Sequence, residues 1–197
     1  SQDNGGSQIT DIVLEISPYL SADWQEITSY DASSLFHVIT TTDDPIVTKG
    51  EYRFRYKSVN AFGSSLYSEE LPVAAMPLPQ APEPIQKIQS QSSRTSLTVQ
   101  WAAPLVDPDE VLGYDLFMSD SAGSEKIRIY SGKHNPNTLK YNKQLLESGK
   151  IYGFSVIAYN FNGAGAESTI SYFKPCSIPA NLATPEIIKT TKSQLIL

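Results

Sequence analysis

The sequence predicts an all-β chain built from tandem antiparallel β-sandwiches. Segments of six to eight residues alternate between apolar and polar side chains, as half-buried strands do. Turn-forming residues separate these segments, and the 197 residues include 11 Gly, 13 Pro and 11 Tyr. The chain also repeats itself after about one hundred residues, a period that suits one complete domain per repeat.

The repeat is clearest in two stretches, GEYRFRYKSVNAFG and GKIYGFSVIAYNFNG. Each predicts a strand with one buried face, an Asn-x-x-Gly turn and a second strand, at 66–74 in one copy and 166–173 in the other. Two such strands joined by a tight turn form a hairpin. At an offset of one hundred, five identical pairs align: Tyr52 and Tyr152, Phe54 and Phe154, Asn60 and Asn160, Gly63 and Gly163, Ser68 and Ser168.

The rest of the second copy predicts five further short strands. Their ranges are 85–88, 96–101, 113–118, 126–130 and 138–141. Alternation in the second of these turns Leu97, Val99 and Trp101 toward the interior. Seven short strands with turn signals between them indicate an antiparallel sandwich, and no window predicts a helix.

The motifs of this copy, taken in order, resemble a fibronectin type III repeat. They read Pro, Leu-x-Val-x-Trp, Gly-Tyr-x-Leu, then Leu-x5-Tyr-x-Phe-x-Val-x-Ala-x-Asn-x-x-Gly and Ser. The resemblance implies an immunoglobulin-like sandwich in which Trp101 is the buried tryptophan of the second strand. It also implies a tyrosine corner formed by Leu146 and Tyr152, with Ile46 and Tyr52 as the equivalent pair in the first copy.

The two ends of the chain stand at different phases of this repeat. The strand at 9–16 matches the one that carries Tyr114, and alternation points Ile12 and Leu14 inward. We therefore expect residues 1–79 to form a partial repeat from its third strand onward, without the first two strands. We expect residues 80–179 to form a complete repeat, and residues 180–197 to supply the first two strands of a further one.

Two interpretations follow from these phases. The chain is an excerpt of a longer repeat protein, or its C-terminal strands complete the first repeat of another copy. In the second case Ile187, Leu195 and Leu197 donate strands to a surface that contains Ile12 and Leu14. Head-to-tail addition would build a filament, whereas reciprocal addition would close a dimer.

Residues 76–84 join the copies and contain four prolines. This composition favours extended geometry and predicts a semi-rigid rod. Beside the linkers, Cys176 is expected to be a small buried residue, and the carboxylates at 107–110 are expected to lie on a solvated loop. Phe62 and Phe161 are candidate loop aromatics.

Charge and motifs exclude several functions. The net charge is −6, and residues 1–79 alone carry eleven acidic and four basic side chains, so a nucleic-acid partner is not expected. No apolar run reaches the length of a membrane span. His37, expected to face outward, and His134 lack ligand or catalytic partners at suitable spacing, and neither a nucleophile elbow nor a phosphate loop is present. We expect no catalytic residues, cofactor or metal.

These observations predict a non-catalytic structural or adhesion module that acts as a spacer and binds proteins, itself included. An extracellular or cell-surface location is the leading expectation. Two alternatives stay open: an intracellular cytoskeletal or ciliary scaffold, and the spacer domain of a carbohydrate-active enzyme. A signal peptide, membrane span or catalytic domain in the flanking sequence would distinguish them.

Overall fold

The computed structural model describes residues 4–31, 34, 36–40, 46, 49–107, 110–120, 125–177, 183–186, 188–190 and 195–196. Regular structure in these residues is β, apart from one 3₁₀ turn at Gln89–Gln91. The predicted all-β fold class is confirmed. None of the described residues forms a helix with the length and hydropathy needed to cross a membrane.

The described residues form fifteen strands, numbered here in chain order. Repeat 1 denotes residues 1–79 and repeat 2 denotes residues 80–179. The strands are β1 (Ile9–Pro18), β2 (Gln25–Glu26), β3 (Glu51–Asn60), β4 (Gly63–Ser64), β5 (Leu71–Ala74), β6 (Gln86–Lys87), β7 (Leu97–Gln100), β8 (Gly113–Ser119), β9 (Ile127–Gly132), β10 (Lys140–Lys143), β11 (Tyr152–Asn160), β12 (Gly163–Glu167), β13 (Ser171–Phe173), β14 (Lys189–Thr190) and β15 (Leu195–Ile196).

Repeat 2 contains two facing antiparallel sheets. One has the order β10-β7-β6, and the other has the order β12-β11-β8-β9 with β13 also paired to β11. Alternate residues of both sheets meet in a single core, as in other sandwiches. Its buried members are Ile85, Leu97, Val99, Trp101, Val111, Tyr114, Leu116, Met118, Leu146, Tyr152, Phe154, Val156 and Ala158.

Repeat 1 has one sheet, with the order β2-β1-β3-β4 and β5 also paired to β3. Its strands follow the plan of the larger sheet of repeat 2. In β1 and β3, Ile16 lies opposite Phe54 and Leu14 opposite Tyr56, so these side chains share the inner face. The described residues of repeat 1 include no second sheet facing this one, and its buried apolar cluster comprises only Ile16, Ile27 and Tyr52.

Each hairpin turn uses the predicted Asn-x-x-Gly sequence. Gly63 and Gly163 have φ values of 139° and 124°, which glycine adopts without the steric cost of a Cβ atom. The side-chain oxygen of Asn60 accepts the backbone N–H of Phe62 at 2.9 Å, and Asn160 does the same for Asn162 at 3.0 Å. The shared sequence therefore produces the same local turn twice.

The strand predicted after each turn is divided in two. In repeat 1, the Ser68 hydroxyl accepts the backbone N–H of Tyr56 at 3.1 Å, and in repeat 2 Ser168 accepts that of Val156 at 3.0 Å. A serine side chain thus takes a place that a backbone carbonyl would otherwise occupy in the ladder. This substitution interrupts the pairing between β4 and β5 and between β12 and β13.

Near the C-terminus, β14 pairs with β15 in an antiparallel hairpin. Among the described residues, these two strands form a sheet of their own. Four residues, 191–194, connect them, whereas nine residues, 88–96, connect β6 to β7. The C-terminal hairpin is therefore tighter than the first two strands of repeat 2.

Candidate interaction surfaces

The residues proposed for the tyrosine corner and buried tryptophan of repeat 2 lie together in its core. Tyr152, Leu146 and Trp101 are all buried in one cluster. The backbone N–H of Glu147 donates to the Tyr152 hydroxyl at 3.0 Å. That bond gives the buried end of the phenol a polar partner at the turn before β11.

The equivalent residues of repeat 1 occupy a smaller cluster. Tyr52 is buried with Ile16 and Ile27, and Ile46 packs against this group while half-buried. Tyr30 and Ile39 also contact it from the segments between β2 and β3. These segments cover only the part of the inner face near Tyr52.

The remainder of that inner face is open, and we call it the open face: Ile9, Ile12, Tyr56 and Leu66. Tyr56 is 50% exposed and Leu66 is 93% exposed. Ile9 and Ile12 are half-buried. The four side chains line a groove of about 260 Å³ together with Ser58, Ser65, Tyr67 and Ser68. Leu14, the other predicted acceptor residue, is half-buried and packs on the cluster around Tyr52.

The predicted strand-donor residues lie at the end of the chain. Ile187 and Leu197 are outside the described residues. Leu195 belongs to β15. Ile188, next to β14, is 75% exposed. The structure therefore places a hairpin in the donor segment, and it leaves the pairing of donor and acceptor as a proposal.

The junction between the repeats centres on Asn162, in the turn between β11 and β12. Its side-chain oxygen accepts the backbone N–H of Ala74 at 2.7 Å. Its side-chain nitrogen donates to the carbonyls of Ala74 at 2.9 Å and Met76 at 2.7 Å. Asn160 adds a bond to the Pro77 carbonyl at 2.7 Å. One turn of repeat 2 thus holds four consecutive points of the chain that leaves repeat 1.

An ion-pair group and a ring contact also join the repeats. The Lys49 Nζ lies 2.8 Å from Asp107 Oδ1 and 3.2 Å from Glu110 Oε1. Hydrogen bonds to Asp107 and then Glu110 raise the pKa of Lys49 above its ordinary value. On another side, the rings of Tyr19 and Phe161 meet edge to face, with centroids 4.9 Å apart.

The linker also runs close against the backbone of repeat 2. The backbone N–H of Ala166 donates to the Pro79 carbonyl at 3.2 Å. A Cβ atom on the neighbouring Gly165 would lie 2.1 Å from the same oxygen. Only glycine at position 165 allows this approach.

The outer face of repeat 1 carries a cation–π stack, which we call the Arg55 stack. The guanidinium carbon of Arg55 lies 3.9 Å from the ring centroid of Trp24 and 3.8 Å from that of Tyr67. Arg55 Nε donates to Glu15 Oε2 at 2.8 Å, and the Tyr67 hydroxyl donates to Oε1 at 2.8 Å. The stack therefore links three segments of repeat 1: the one before β2, strand β3 and the residues before β5.

The carboxyl group of Glu15 is held charged by this stack. Its partial burial favours the neutral form, but hydrogen bonds from Tyr67 and Arg55 outweigh burial and lower its pKa. Glu167 holds the corresponding role in repeat 2. Its burial is likewise outweighed by Lys126, at 2.7 Å, and by the Ser155 hydroxyl, so its pKa is also lowered.

Several single-residue predictions are wrong. His37 is half-buried, with its Nε2 3.0 Å from the Ser29 hydroxyl, because its ring packs on Tyr30. Cys176 is exposed rather than buried, near the Lys87 ammonium. Asp107 and Glu110 are tied to Lys49 instead of standing free on a loop. Within the described ranges, no group of three His, Cys, Asp or Glu side chains is placed to hold a metal ion.

The sequence of repeat 2 agrees with a known domain family. Residues 81–174 match the fibronectin type III domain. This match covers β6 to β13, so the two sheets of repeat 2 are the sheets of a fibronectin type III sandwich.

Three curated relatives with similar sequences illustrate the range of proteins involved. Neogenin of Mus musculus is 30% identical over 74% of this chain and 10% of its own length. Netrin receptor DCC of Homo sapiens is 31% identical over 59% of this chain and 8% of its own length. A titin homolog of Caenorhabditis elegans is 25% identical over 86% of this chain and 1% of its own length. The chain thus spans a tenth or less of these relatives.

The solved structures that were compared include the chicken CNTN1 FN1–FN3 domains. That crystal structure superposes with a TM-score of 0.46 at 15% identity, covering 84% of this chain and 56% of the other.

Proposed function

We propose that this chain is a non-catalytic structural or adhesion module, in which two fibronectin type III repeats act as a spacer of fixed relative orientation. The observation that carries this proposal is the set of hydrogen bonds made by Asn162. All three polar positions of its amide bond the backbone of repeat 1. A linker that only tethered the repeats would need no such contacts.

The other junction contacts restrain the repeats in additional directions. Lys49 lies across the junction from Asp107 and Glu110, and Tyr19 meets Phe161. Each neutral hydrogen bond contributes roughly 0.5–1.5 kcal/mol net, and exposed ion pairs contribute less. Several such restraints acting together would hold one arrangement more effectively than any of them alone.

The setting of this spacer is also a proposal. We propose an extracellular or cell-surface protein that binds other proteins, since the relatives include neogenin and a netrin receptor. The similarity to a titin homolog supports the alternative of an intracellular scaffold. The third alternative, a spacer in a carbohydrate-active enzyme, is decided by the presence of a catalytic domain in the flanking sequence.

Backbone ¹⁵N relaxation of the full chain tests the fixed orientation. Repeat 1 and repeat 2 should report one common rotational diffusion tensor. In Asn162→Ala, the two repeats should report separate tensors while each keeps its own chemical-shift pattern. The matched control is Asn137→Ala, an exposed asparagine in the segment before β10.

Independent tumbling of the repeats in the unsubstituted chain would overturn the spacer of fixed orientation. Equal relaxation in Asn162→Ala and the unsubstituted chain would show that the amide contacts do not set the arrangement.

A second candidate function is self-association by strand complementation, either head to tail into a filament or reciprocally into a dimer. The open face is the observation that favours it, because an apolar sheet surface gains free energy when another chain covers it. Sedimentation over a range of concentrations tests this candidate. A species whose mass does not change with concentration, with repeat 1 folded, would exclude it.

A further inference from the structure

We infer that the open face binds the C-terminal hairpin of a second copy, residues 187–197. This inference rests on the self-association proposed above, and it names the two surfaces that meet. It requires that the open face be apolar and incompletely covered, that the donor fit it chemically, and that the donor be unpartnered.

Only one part of the inner face of repeat 1 needs a cover. Near Tyr52, the face is packed by Ile27, Ile39 and Ile46. Toward the β3–β4 turn, Tyr56 and Leu66 keep half or more of their surface exposed. The uncovered part is therefore a short groove beside the β3–β4 hairpin, with room for a small element rather than a whole sheet.

Repeat 2 shows what covers the equivalent surface. Tyr114 and Val156, the counterparts of Ile12 and Tyr56, are fully buried. They belong to one cluster with Leu97, Val99 and Trp101, which lie on or beside β7. A strand with alternating apolar residues, paired to a short neighbour as β7 is to β6, is thus the element that fits this face.

The C-terminal segment has that chemistry. Its sequence places Ile187 and Ile188 before β14 and Leu195–Leu197 in and after β15. It also carries Lys189 and Lys192 against the single acid Glu186, whereas repeat 1 carries eleven acids and four bases. The donor is therefore apolar and slightly basic, and its acceptor is apolar within an acidic repeat, which favours their encounter.

The hairpin has no other sheet to join among the described residues. β14 and β15 pair with each other, and Ile188 is 75% exposed. An isolated two-stranded hairpin is marginally stable in water and gains stability when it packs on a further apolar surface. The structure thus contains an uncovered face and an unsupported hairpin of matching character.

Sedimentation equilibrium of the full chain tests the acceptor. Leu66→Asp removes an apolar group from the groove, and since Leu66 is 93% exposed, the substitution leaves the fold of repeat 1 intact. It should weaken self-association by about tenfold or more. The matched control is Leu20→Asp, because Leu20 is 94% exposed and lies outside the groove. That control should associate like the unsubstituted chain.

Mixing two variants tests the pairing itself. Leu66→Asp has a damaged acceptor and an intact hairpin, and Leu195→Asp has the reverse. Each variant alone should sediment as a monomer at concentrations where the unsubstituted chain associates. An equimolar mixture should form a 1:1 complex, because one intact acceptor then meets one intact donor. No such rescue is expected between Leu66→Asp and a Leu66→Asp, Leu195→Asp double variant.

The outcomes separate the two levels of the proposal. A monomeric unsubstituted chain overturns both self-association and this inference, and it leaves the open face to a segment outside this sequence. Association that Leu66→Asp and Leu20→Asp weaken equally, or a mixture without rescue, overturns the inference alone. Self-association through another surface would then stand.

Discussion

The two repeats share a strand plan but differ in how their inner faces are covered. Phe154 and Val156 of repeat 2 are fully buried, whereas Phe54 is half-buried and Tyr56 is 50% exposed at the equivalent positions. The β10-β7-β6 sheet accounts for this difference, because it covers the face in repeat 2. Alternation in a strand thus identifies an inner face, but a facing layer decides whether that face is buried.

Repeat 1 instead has a more elaborate outer face. The Arg55 stack joins Trp24, Tyr67 and Glu15 on the side away from the small apolar cluster. At the position equivalent to Arg55, repeat 2 has Ser155, whose hydroxyl donates to Glu167. The comparison indicates that contacts on the outer face supply part of the stability that the smaller interior of repeat 1 lacks.

The largest expected effect comes from the paired phenylalanines. Phe154→Ala should lower the free energy of unfolding of repeat 2 by about 3–5 kcal/mol, because it leaves a cavity in a close-packed core. Phe54→Ala should cost repeat 1 only about 1–2 kcal/mol, because that side chain is already partly exposed. Native-state hydrogen exchange measures the two repeats separately. Equal losses would contradict the difference in cover.

Removing the Arg55 stack should have the next largest effect. Arg55→Ala should destabilise repeat 1 by about 1–2 kcal/mol through lost ring stacking and lost bonds to Glu15. Arg55→Lys keeps the charge but not the planar group, so it should restore only part of the loss. Denaturant unfolding followed by circular dichroism provides the measurement. Full restoration by lysine would show that stacking contributes nothing.

The tyrosine corner of repeat 2 should give a smaller effect. Tyr152→Phe removes the acceptor of the Glu147 backbone N–H, at a cost of about 1 kcal/mol. Exchange of the Glu147 amide should accelerate more than exchange at the centre of β11. Tyr172→Phe is the matched control, since Tyr172 is 48% exposed, and it should leave the unfolding free energy unchanged.

The smallest expected effect is the response to acid. The folded-state pKa of Glu15 lies below its ordinary value of 4.5, so its contribution is present above that value and is lost as the pH falls through the lowered pKa. Repeat 1 should therefore lose stability upon acidification in that range, by less than Arg55→Ala costs it. Glu15→Gln should flatten this dependence in repeat 1. In repeat 2, where Glu167 titrates in the same direction, the dependence should be unchanged.

Much of the fold could be predicted from local sequence. Alternation located the long strands β1, β3, β8 and β11, and Asn with Gly located both hairpin turns. The division of the strands after these turns was not predicted, because it depends on where the Ser68 and Ser168 hydroxyls point. That direction is set by three-dimensional packing and not by hydropathy.

The junction could not be predicted from either repeat alone. Asn162 aligns with Phe62 and Phe161 with Ala61, so the turn that bonds repeat 1 departs from the repeat pattern at two positions. That departure was the available signal. Lys49 and its carboxylate partners are about sixty residues apart, and charge patterns within one segment carry no information on such a pair. The exposure of Cys176 likewise depends on surroundings that its neighbours in sequence do not specify.

The contacts of Asn162 have a consequence for variation in the linker. Its amide bonds only main-chain atoms of Ala74 and Met76, and Asn160 bonds the main chain of Pro77. Main-chain atoms are the same whatever side chain a position carries. Substitutions along the linker can therefore accumulate over evolutionary time without altering how the modules are joined, whereas a change at the single asparagine would be selected against.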